Sequence, residues 1–150
     1  MATVTGLVAA PPEAVYAVLA DGWAYAGWVV GASHVRAVEA AWPAVGSRLH
    51  HASGTWPVTI EDETRVEVCE PAERLVLLAS GGALGSARVD LTLSPDGAGT
   101  RVTMLEEPVS GPGHWLHNPL AEALLRRRNT ESLARLAILV ERPTAPADRR

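Results

Sequence analysis

Glu106 has the chemistry to move a proton and lies at a position where we expect it inside the protein. Side chains in residues 100–107 alternate between two faces of a predicted strand, so Glu106 shares a face with Val102 and Met104. A carboxylate among apolar side chains is costly unless it is paired, hydrogen-bonded or neutralised. Such a group could orient a ligand or act as a general acid or base. The alternative is a bulge near Pro108 that turns Glu106 towards solvent or an arginine.

Two further polar side chains raise the same question, an amide on a predicted helix and an imidazole on a predicted strand. Asn129 interrupts an apolar stripe, where it could hydrogen-bond a ligand or be satisfied by backbone or water. His51 shares one face of residues 47–51 with Leu49, which makes it a candidate base lining a cavity. The alternative for His51 is a surface or satisfied core histidine, because no acidic partner is close in the sequence.

The composition excludes several other chemistries. All 13 residues counted as Lys or Arg are arginine, so Schiff-base chemistry and a P-loop lysine are excluded. Cys69 is the single cysteine, which rules out an intrachain disulfide and a multi-cysteine zinc site, and we interpret it as a buried thiol. The 5 histidines have no spacing that requires a metal, and no Gly-x-Ser-x-Gly motif indicates a serine nucleophile. We therefore predict neither a metal nor a cofactor.

Charge and hydropathy limit the partners. The net charge is −4 and the arginines are dispersed apart from residues 126–128, so nucleic acid is not a predicted partner. We interpret that triplet as a solvated helix face paired with Glu122 and Glu131. No apolar run reaches the roughly 18 residues of a membrane-spanning helix, and residues 1–10 lack a charged signal region. We expect a cytoplasmic protein, monomeric or homodimeric.

The polar candidates need a scaffold, and the strongest helical signal is in residues 118–142. Asn118 can cap this helix and Pro119 suits its first turn. At about 100° per residue, one face of the helix is mainly apolar and the opposite face carries a charge ladder. The first face consists of Leu125, Asn129, Leu133, Leu136 and Val140, and the ladder of Arg127, Glu131 and Arg135.

Upstream of this helix the pattern is mainly that of β-structure. A short strand in residues 3–8 precedes a helix that begins near Pro11 and Pro12, and residues 23–28 add one or two turns. Six strands then follow, predicted at residues 35–39, 47–51, 64–69, 75–80, 87–93 and 100–106. Turn sequences at residues 70–74 and 94–99 indicate an antiparallel meander. The order predicts an α+β domain over residues 1–142 with a flexible polar tail at 143–150.

Four segments, in their order and spacing, carry a family resemblance: residues 10–28, 43–46, 100–107 and 128–136. Together they resemble the START and polyketide-cyclase superfamily, also called SRPBCC. The resemblance implies a helix-grip fold, in which a curved seven-stranded antiparallel sheet wraps around the long C-terminal helix, with two short helices near the N-terminus. It also implies a cavity for a lipid, sterol, hormone or polyketide, with Trp28 and Trp115 near its entrance.

Three functions are compatible with this sequence. The leading hypothesis is a protein that binds a small apolar or amphipathic molecule, such as a lipid or polyketide, between the sheet and the C-terminal helix. The alternative is a cofactor-free polyketide cyclase or dehydratase that uses Glu106 and His51 for proton transfer. A third is an interaction module with an apolar outer sheet face. The predicted ligand-binding residues are Trp28, Leu49, His51, Val89, Leu91, Met104, Glu106, Trp115, Leu125, Asn129 and Leu133, whereas Trp23, Trp42 and Trp56 are expected in the core.

Overall fold

The sheet is built from strands that follow one another along the chain. The computed structural model describes residues 1–55, 58–80, 85–111 and 118–142. Its strands are β1 (Ala2–Val8), β2 (Ala32–Val38), β3 (Arg48–Thr55), β4 (Val58–Glu70), β5 (Arg74–Ser80), β6 (Ser86–Asp96) and β7 (Gly99–Ser110). They form a 7-stranded sheet in the order β1-β7-β6-β5-β4-β3-β2, with every neighbouring pair antiparallel. Strands β2 to β7 are therefore the predicted meander, and β1 extends it by pairing with β7.

The helices begin and end where the sequence predicts. Helix α1 (Pro12–Leu19) has proline in its first turn, and a 3-10 turn (Gly22–Ala24) leads into the short α2 (Tyr25–Trp28). The long C-terminal helix is α3 (Pro119–Glu141), and its first turn is capped because the Asn118 side-chain oxygen Oδ1 accepts from the Leu120 backbone N–H at 2.9 Å. Within the described ranges, no helix combines the length and apolarity needed to cross a bilayer.

Helix α3 packs with its predicted face towards the sheet and the two short helices. Asn129, Leu133 and Leu136 are buried, together with Ser132. Leu133 reaches the backbone of β1 closely, since a Cβ placed on Gly6 would lie only 3.2 Å from the Leu133 Cβ. The predicted α+β helix-grip architecture is confirmed: α3 packs against an antiparallel sheet and against α1 and α2.

The two faces of the sheet differ sharply in polarity. Val89 and Leu91 of β6 are buried on what we call the inner face, so the alternate residues Arg88 and Asp90 lie on the outer face. The outer face carries ion pairs, including Arg88 with Glu67 at 2.7 Å and Arg74 with Asp90 at 2.7 Å. A face occupied by ion pairs is not the apolar patch that an interaction module would need.

Some local predictions were wrong. Strands β3 and β4 run to Thr55 and from Val58, well beyond the predicted ends at residues 51 and 64. Trp23 is 60% exposed, because the residue buried in its 3-10 turn is Gly22 and not the tryptophan. Trp42 is in the core as expected, whereas Trp56 and the predicted tail at 143–150 lie outside the described residues.

Cys69 is half-buried, which is less than the burial we expected. Its Sγ atom lies 3.2 Å from the hydroxyl oxygen of Tyr16, and the two groups share a hydrogen bond. Burial, reinforced by that hydrogen bond, raises the pKa of Tyr16 to about 12. The pair is a local packing feature of α1 and β4 and does not line the cavity described next.

Candidate functional site

A cavity of about 310 Å³ lies among the inner face of the sheet, α2 and α3. Its apolar wall includes Trp28 from α2 together with Leu77, Val89 and Met104 from the sheet. Its polar lining comes from distant segments and includes Tyr25, His51, Asp62, Glu106, Arg128, Asn129 and Ser132. An apolar cavity with a few converging polar groups is the usual form of a small-molecule site.

The cavity collects part of the predicted set of ligand-binding residues. Trp28, His51, Val89, Met104, Glu106 and Asn129 all line it. Leu49, Leu91 and Leu133 instead belong to the surrounding hydrophobic core. Leu125 is half-buried and does not line the cavity, and Trp115 lies outside the described residues.

Glu106 forms an ion pair with Arg128 at the edge of the cavity. The Arg128 Nη2 atom donates to Oε1 at 2.7 Å and to Oε2 at 2.6 Å. The Glu106 side chain is 9% exposed and that of Arg128 is 44% exposed, so the carboxylate is the buried partner. Burial raises the pKa of Glu106, and the guanidinium of Arg128 opposes that rise. The predicted inward orientation of Glu106 is therefore correct, because the strand is in regular register with β6 at this residue and no bulge turns the side chain outward. The arginine instead reaches the carboxylate from α3.

The pairing corrects our prediction for the arginine triplet. Arg128 was expected to be solvated beside Glu122 and Glu131, but it reaches back to β7. Arginine side chains are long, and the apolar stem can follow the helix while the guanidinium contacts a buried group. Glu131 pairs with Arg135 at 3.2 Å on the solvent side, as the charge ladder predicted.

Asn129 is 1% exposed, in agreement with the predicted register of α3. Its Oδ1 atom faces the Nε atom of Arg128 at 3.4 Å. The amide lies close enough to Glu106 to lower the pKa of that carboxyl, although Nδ2 makes no hydrogen bond of standard geometry. A buried donor without a partner is uncommon and calls for an explanation.

His51 belongs to a short hydrogen-bonded chain on the opposite wall. Its Nε2 atom lies 3.0 Å from Thr64 Oγ1, which in turn lies 3.2 Å from the Tyr25 hydroxyl. Burial lowers the pKa of His51 and raises that of Tyr25 to about 12, so both groups are neutral near pH 7. The second imidazole nitrogen, Nδ1, is buried without a hydrogen-bond partner.

His51 also has an acidic neighbour that we failed to predict. Strands β3 and β4 pair so that His51 lies directly opposite Asp62, whose charge raises the pKa of the imidazole against the effect of burial. Asp62 belongs to the acidic run at residues 61–63, which lies just before the strand predicted at residues 64–69. Extending both predicted strands towards each other along the chain would have brought the two side chains together.

The segment between α2 and β2 completes the cavity and is joined to α3. The backbone N–H of Val30 donates to Ser132 Oγ at 3.1 Å, and both residues line the cavity. Gly31, with a φ of +102°, makes the turn into β2. We did not predict Ser132, although its position three residues after Asn129 on a helix indicates a shared face.

The described residues contain no cluster of three histidine, cysteine, aspartate or glutamate side chains arranged to hold a metal. Comparison with known families is more informative. A family model described as polyketide cyclase / dehydrase and lipid transport matches residues 1–141. The chain belongs to this family. The resemblance inferred from the sequence is thereby confirmed, and with it the general expectation of ligand binding or cyclase chemistry.

Several solved structures share the fold of this family member. Protein CV1439 from Chromobacterium violaceum aligns with a TM-score of 0.69 and 23% identity, over 94% of this chain and 97% of that one. DynU16 from the dynemicin biosynthetic locus aligns with a TM-score of 0.69 and 23% identity, over 93% of this chain but only 46% of DynU16. Ara h 8.0201 gives 0.71 at 11% identity, over 92% and 95% of the two chains. At these identities the likeness establishes the fold alone, and no curated protein sequence matches significantly.

Proposed function

We propose that this family member binds a small apolar or amphipathic molecule in the cavity between the sheet and α3. The observation that carries the proposal is the cavity itself, with Trp28, Val89 and Met104 on its apolar wall and buried polar groups beside them. Apolar walls supply affinity by removing ligand surface from water, and the polar groups fix its orientation. The family description, which includes lipid transport, supports a carrier role.

Mass spectrometry under native conditions tests this proposal on the protein as purified. We expect a fraction of the protein to carry an additional small mass that disappears on denaturation. In parallel, a panel of lipids and aromatic polyketides should raise the melting temperature for at least one class, because a ligand that binds only the folded state stabilises it. A protein without any bound mass that also fails to respond to the panel would contradict the proposal.

A cofactor-free cyclase or dehydratase is the second candidate, favoured by the fact that Glu106 and His51 line the same cavity. Had these side chains been on opposite faces of the sheet, joint proton transfer would have been impossible. His51 is neutral, and in the tautomer whose Nε2–H donates to Thr64 Oγ1 its Nδ1 atom has a lone pair that can accept a proton from an acidic C–H group of a bound polycarbonyl compound.

Deuterium exchange separates the two candidates. We would incubate 1-tetralone, a neutral ketone whose C2 protons exchange slowly in buffer, with catalytic amounts of protein in D₂O and follow loss of the C2 proton signal by NMR. A catalyst should accelerate the exchange above the buffer rate, and His51→Gln should remove that acceleration while ligand binding persists. Exchange at the buffer rate with the wild-type protein would favour the container function over the enzyme.

Three broader features complete the proposal. Residues 1–142 act as one domain, the protein works in the cytoplasm, and it is a monomer or homodimer. The match of the family over residues 1–141 supports the first of these. Sedimentation equilibrium measures the oligomeric state directly, and a stable assembly larger than a dimer would contradict it.

A further inference from the structure

We propose that the ligand is an uncharged molecule of one or two rings that carries an oxygen acceptor, and that Asn129 selects it by donating to that oxygen. This inference rests on the proposed binding function and names the class of ligand for that cavity. Three features of the cavity support it: the charge of the lining, the Asn129 donor without a partner of standard geometry, and the size of the space.

The charge of the lining disfavours an anionic ligand. Among the described residues of the lining, Arg128 is the cationic one, and its Nη2 atom is engaged by both carboxylate oxygens of Glu106. A ligand carboxylate that took over Arg128 would leave Glu106 buried without its counter-charge, which is strongly unfavourable. Asp62 adds a second acidic group to the same lining. Fatty acids and other carboxylates are therefore poor candidates.

The orientation of the Asn129 amide leaves a donor for the ligand. Arg128 has only N–H donors, so the amide atom that faces its Nε must be the oxygen. The nitrogen Nδ2 is consequently turned away from Arg128, and it is buried near the Glu106 carboxylate without a hydrogen bond of standard geometry. A ligand oxygen would supply the missing acceptor after a small rotation of the amide towards the cavity, and would recover the free energy of an unsatisfied donor.

The volume limits the size of the ligand. About 310 Å³ is near the lower end of the range for ligand cavities, which is roughly 300 to 1,000 Å³. One or two rings fill such a space, and a four-ring sterol does not.

Ligands built on one bicyclic frame separate these contributions. We would measure dissociation constants by calorimetry at pH 7.5 for 1-tetralone, tetralin, 1-aminotetralin and 1,2,3,4-tetrahydro-1-naphthoate, with progesterone as a larger ketone. 1-Tetralone should bind about fivefold more tightly than tetralin, since one hydrogen bond to a buried donor is worth that much. The aminotetralin should bind more weakly than 1-tetralone because its ammonium group has no lone pair to accept from Asn129, and progesterone because it exceeds the volume. The carboxylate should bind more weakly than 1-tetralone by more than about tenfold.

Asn129→Leu tests the donor, and Thr130→Ala at the next, exposed position is its matched control. In N129L the affinities for 1-tetralone and tetralin should become equal, whereas T130A should keep the fivefold preference.

If wild type binds tetralin and 1-tetralone equally, or binds the amine, the carboxylate or progesterone more tightly than 1-tetralone, the inference is overturned but the proposed binding function stands. Absence of binding by the whole series also overturns the inference. The proposed function itself fails only if the lipid and polyketide panel gives no response either. If N129L does not fold, the comparison of 1-tetralone with tetralin on the wild-type protein still tests the inference.

Discussion

At the scale of single residues, the Glu106–Arg128 pair is asymmetric, because the carboxylate is buried and the guanidinium is half exposed. The two partners therefore do not contribute equally to stability. Removing Glu106 leaves an arginine that water can solvate, whereas removing Arg128 leaves a buried carboxylate with no counter-charge. The free energy of unfolding should respond far more to the loss of the arginine.

We predict that Arg128→Met lowers the free energy of unfolding by about 2 kcal/mol at pH 8, below the full cost of a broken buried pair because Arg128 is partly solvated. The penalty should shrink towards pH 5. The folded-state pKa of Glu106 is already raised above its ordinary 4.5, and loss of Arg128 raises it further, so protonation relieves the unpaired charge as the pH falls. Urea unfolding at the two pH values measures this difference.

The neighbouring exposed arginine is the control for that experiment. Arg127→Met removes the same charge one residue earlier on α3 and should change the unfolding free energy by less than about 0.5 kcal/mol. The double variant E106Q/R128M should regain stability over R128M at pH 8 and lose its pH dependence. An R128M protein with wild-type stability at pH 8 would show that the ion pair does not hold Glu106 in its buried position.

A second prediction at this scale concerns Thr64, because its hydroxyl group forms hydrogen bonds with both His51 Nε2 and the Tyr25 hydroxyl. Thr64→Val preserves the shape but strands two buried polar groups, so we expect a loss of about 2 kcal/mol in the free energy of unfolding. Thr64→Ser keeps the hydroxyl and should lose only about half as much. Thermal or urea unfolding of both variants compares them, and a Thr64→Val protein at least as stable as Thr64→Ser would contradict the role of the hydroxyl group.

Sequence patterns predicted the direction of individual side chains better than they predicted which residues those side chains contact. Alternation along a strand predicted that Glu106 and His51 point inward, and the helical repeat did the same for Asn129. Neither pattern contains information about which long side chain bends towards a buried charge, so the contact of Arg128 with Glu106 could not be predicted. Asp62 was missed for a related reason, since strand pairing, and not sequence distance, makes it a neighbour of His51.

At the scale of elements, α3 fixes the position of the segment that closes one side of the cavity. Ser132 accepts a hydrogen bond from the Val30 backbone N–H, and this contact joins the segment after α2 to the helix. We predict that Ser132→Ala costs about 1 kcal/mol and accelerates hydrogen exchange of the Val30 amide about fivefold. Ser94→Ala, on an exposed position of β6, is the control and should leave that amide unchanged. Unchanged exchange in S132A would mean that other contacts hold the segment.

Most helices and strands could be predicted from the sequence, and the errors in strand length and pairing have a common cause. Caps, prolines and the apolar repeat gave α1 and α3 because those signals are local. Strands β3 and β4 were predicted too short, since the acidic run at residues 61–63 has low strand propensity on its own. Those residues are β-structure because β4 lies between β3 and β5, and its backbone groups are paired on both sides. The pairing of β1 with β7 is likewise non-local and had no signal in the sequence.

At the scale of the whole molecule, the two faces of the sheet have different roles. The inner face lines the cavity, and the outer face carries ion pairs. Neighbouring residues of one strand point to opposite faces, so Ala79 lines the cavity while Leu78, paired with Arg88, belongs to the outer face. Ligand binding and folding stability can therefore be altered independently on a single strand. The cavity is a property of the assembled sheet and helices, which is why its volume could not be predicted from the sequence.

We predict that Ala79→Phe fills the cavity and abolishes the response to ligand while the protein still folds, because the new ring occupies existing space and does not overpack the core. For wild type at a ligand concentration about 100-fold above the dissociation constant, linkage gives about 2.7 kcal/mol of stabilisation, or roughly 5 to 10 °C in melting temperature. Leu78→Phe, on the other face of the same strand, should retain that shift. Melting curves of the three proteins with 1-tetralone, or with whichever panel compound stabilises wild type, make the comparison. A folded A79F protein that still shows the full shift would place the binding site outside this cavity.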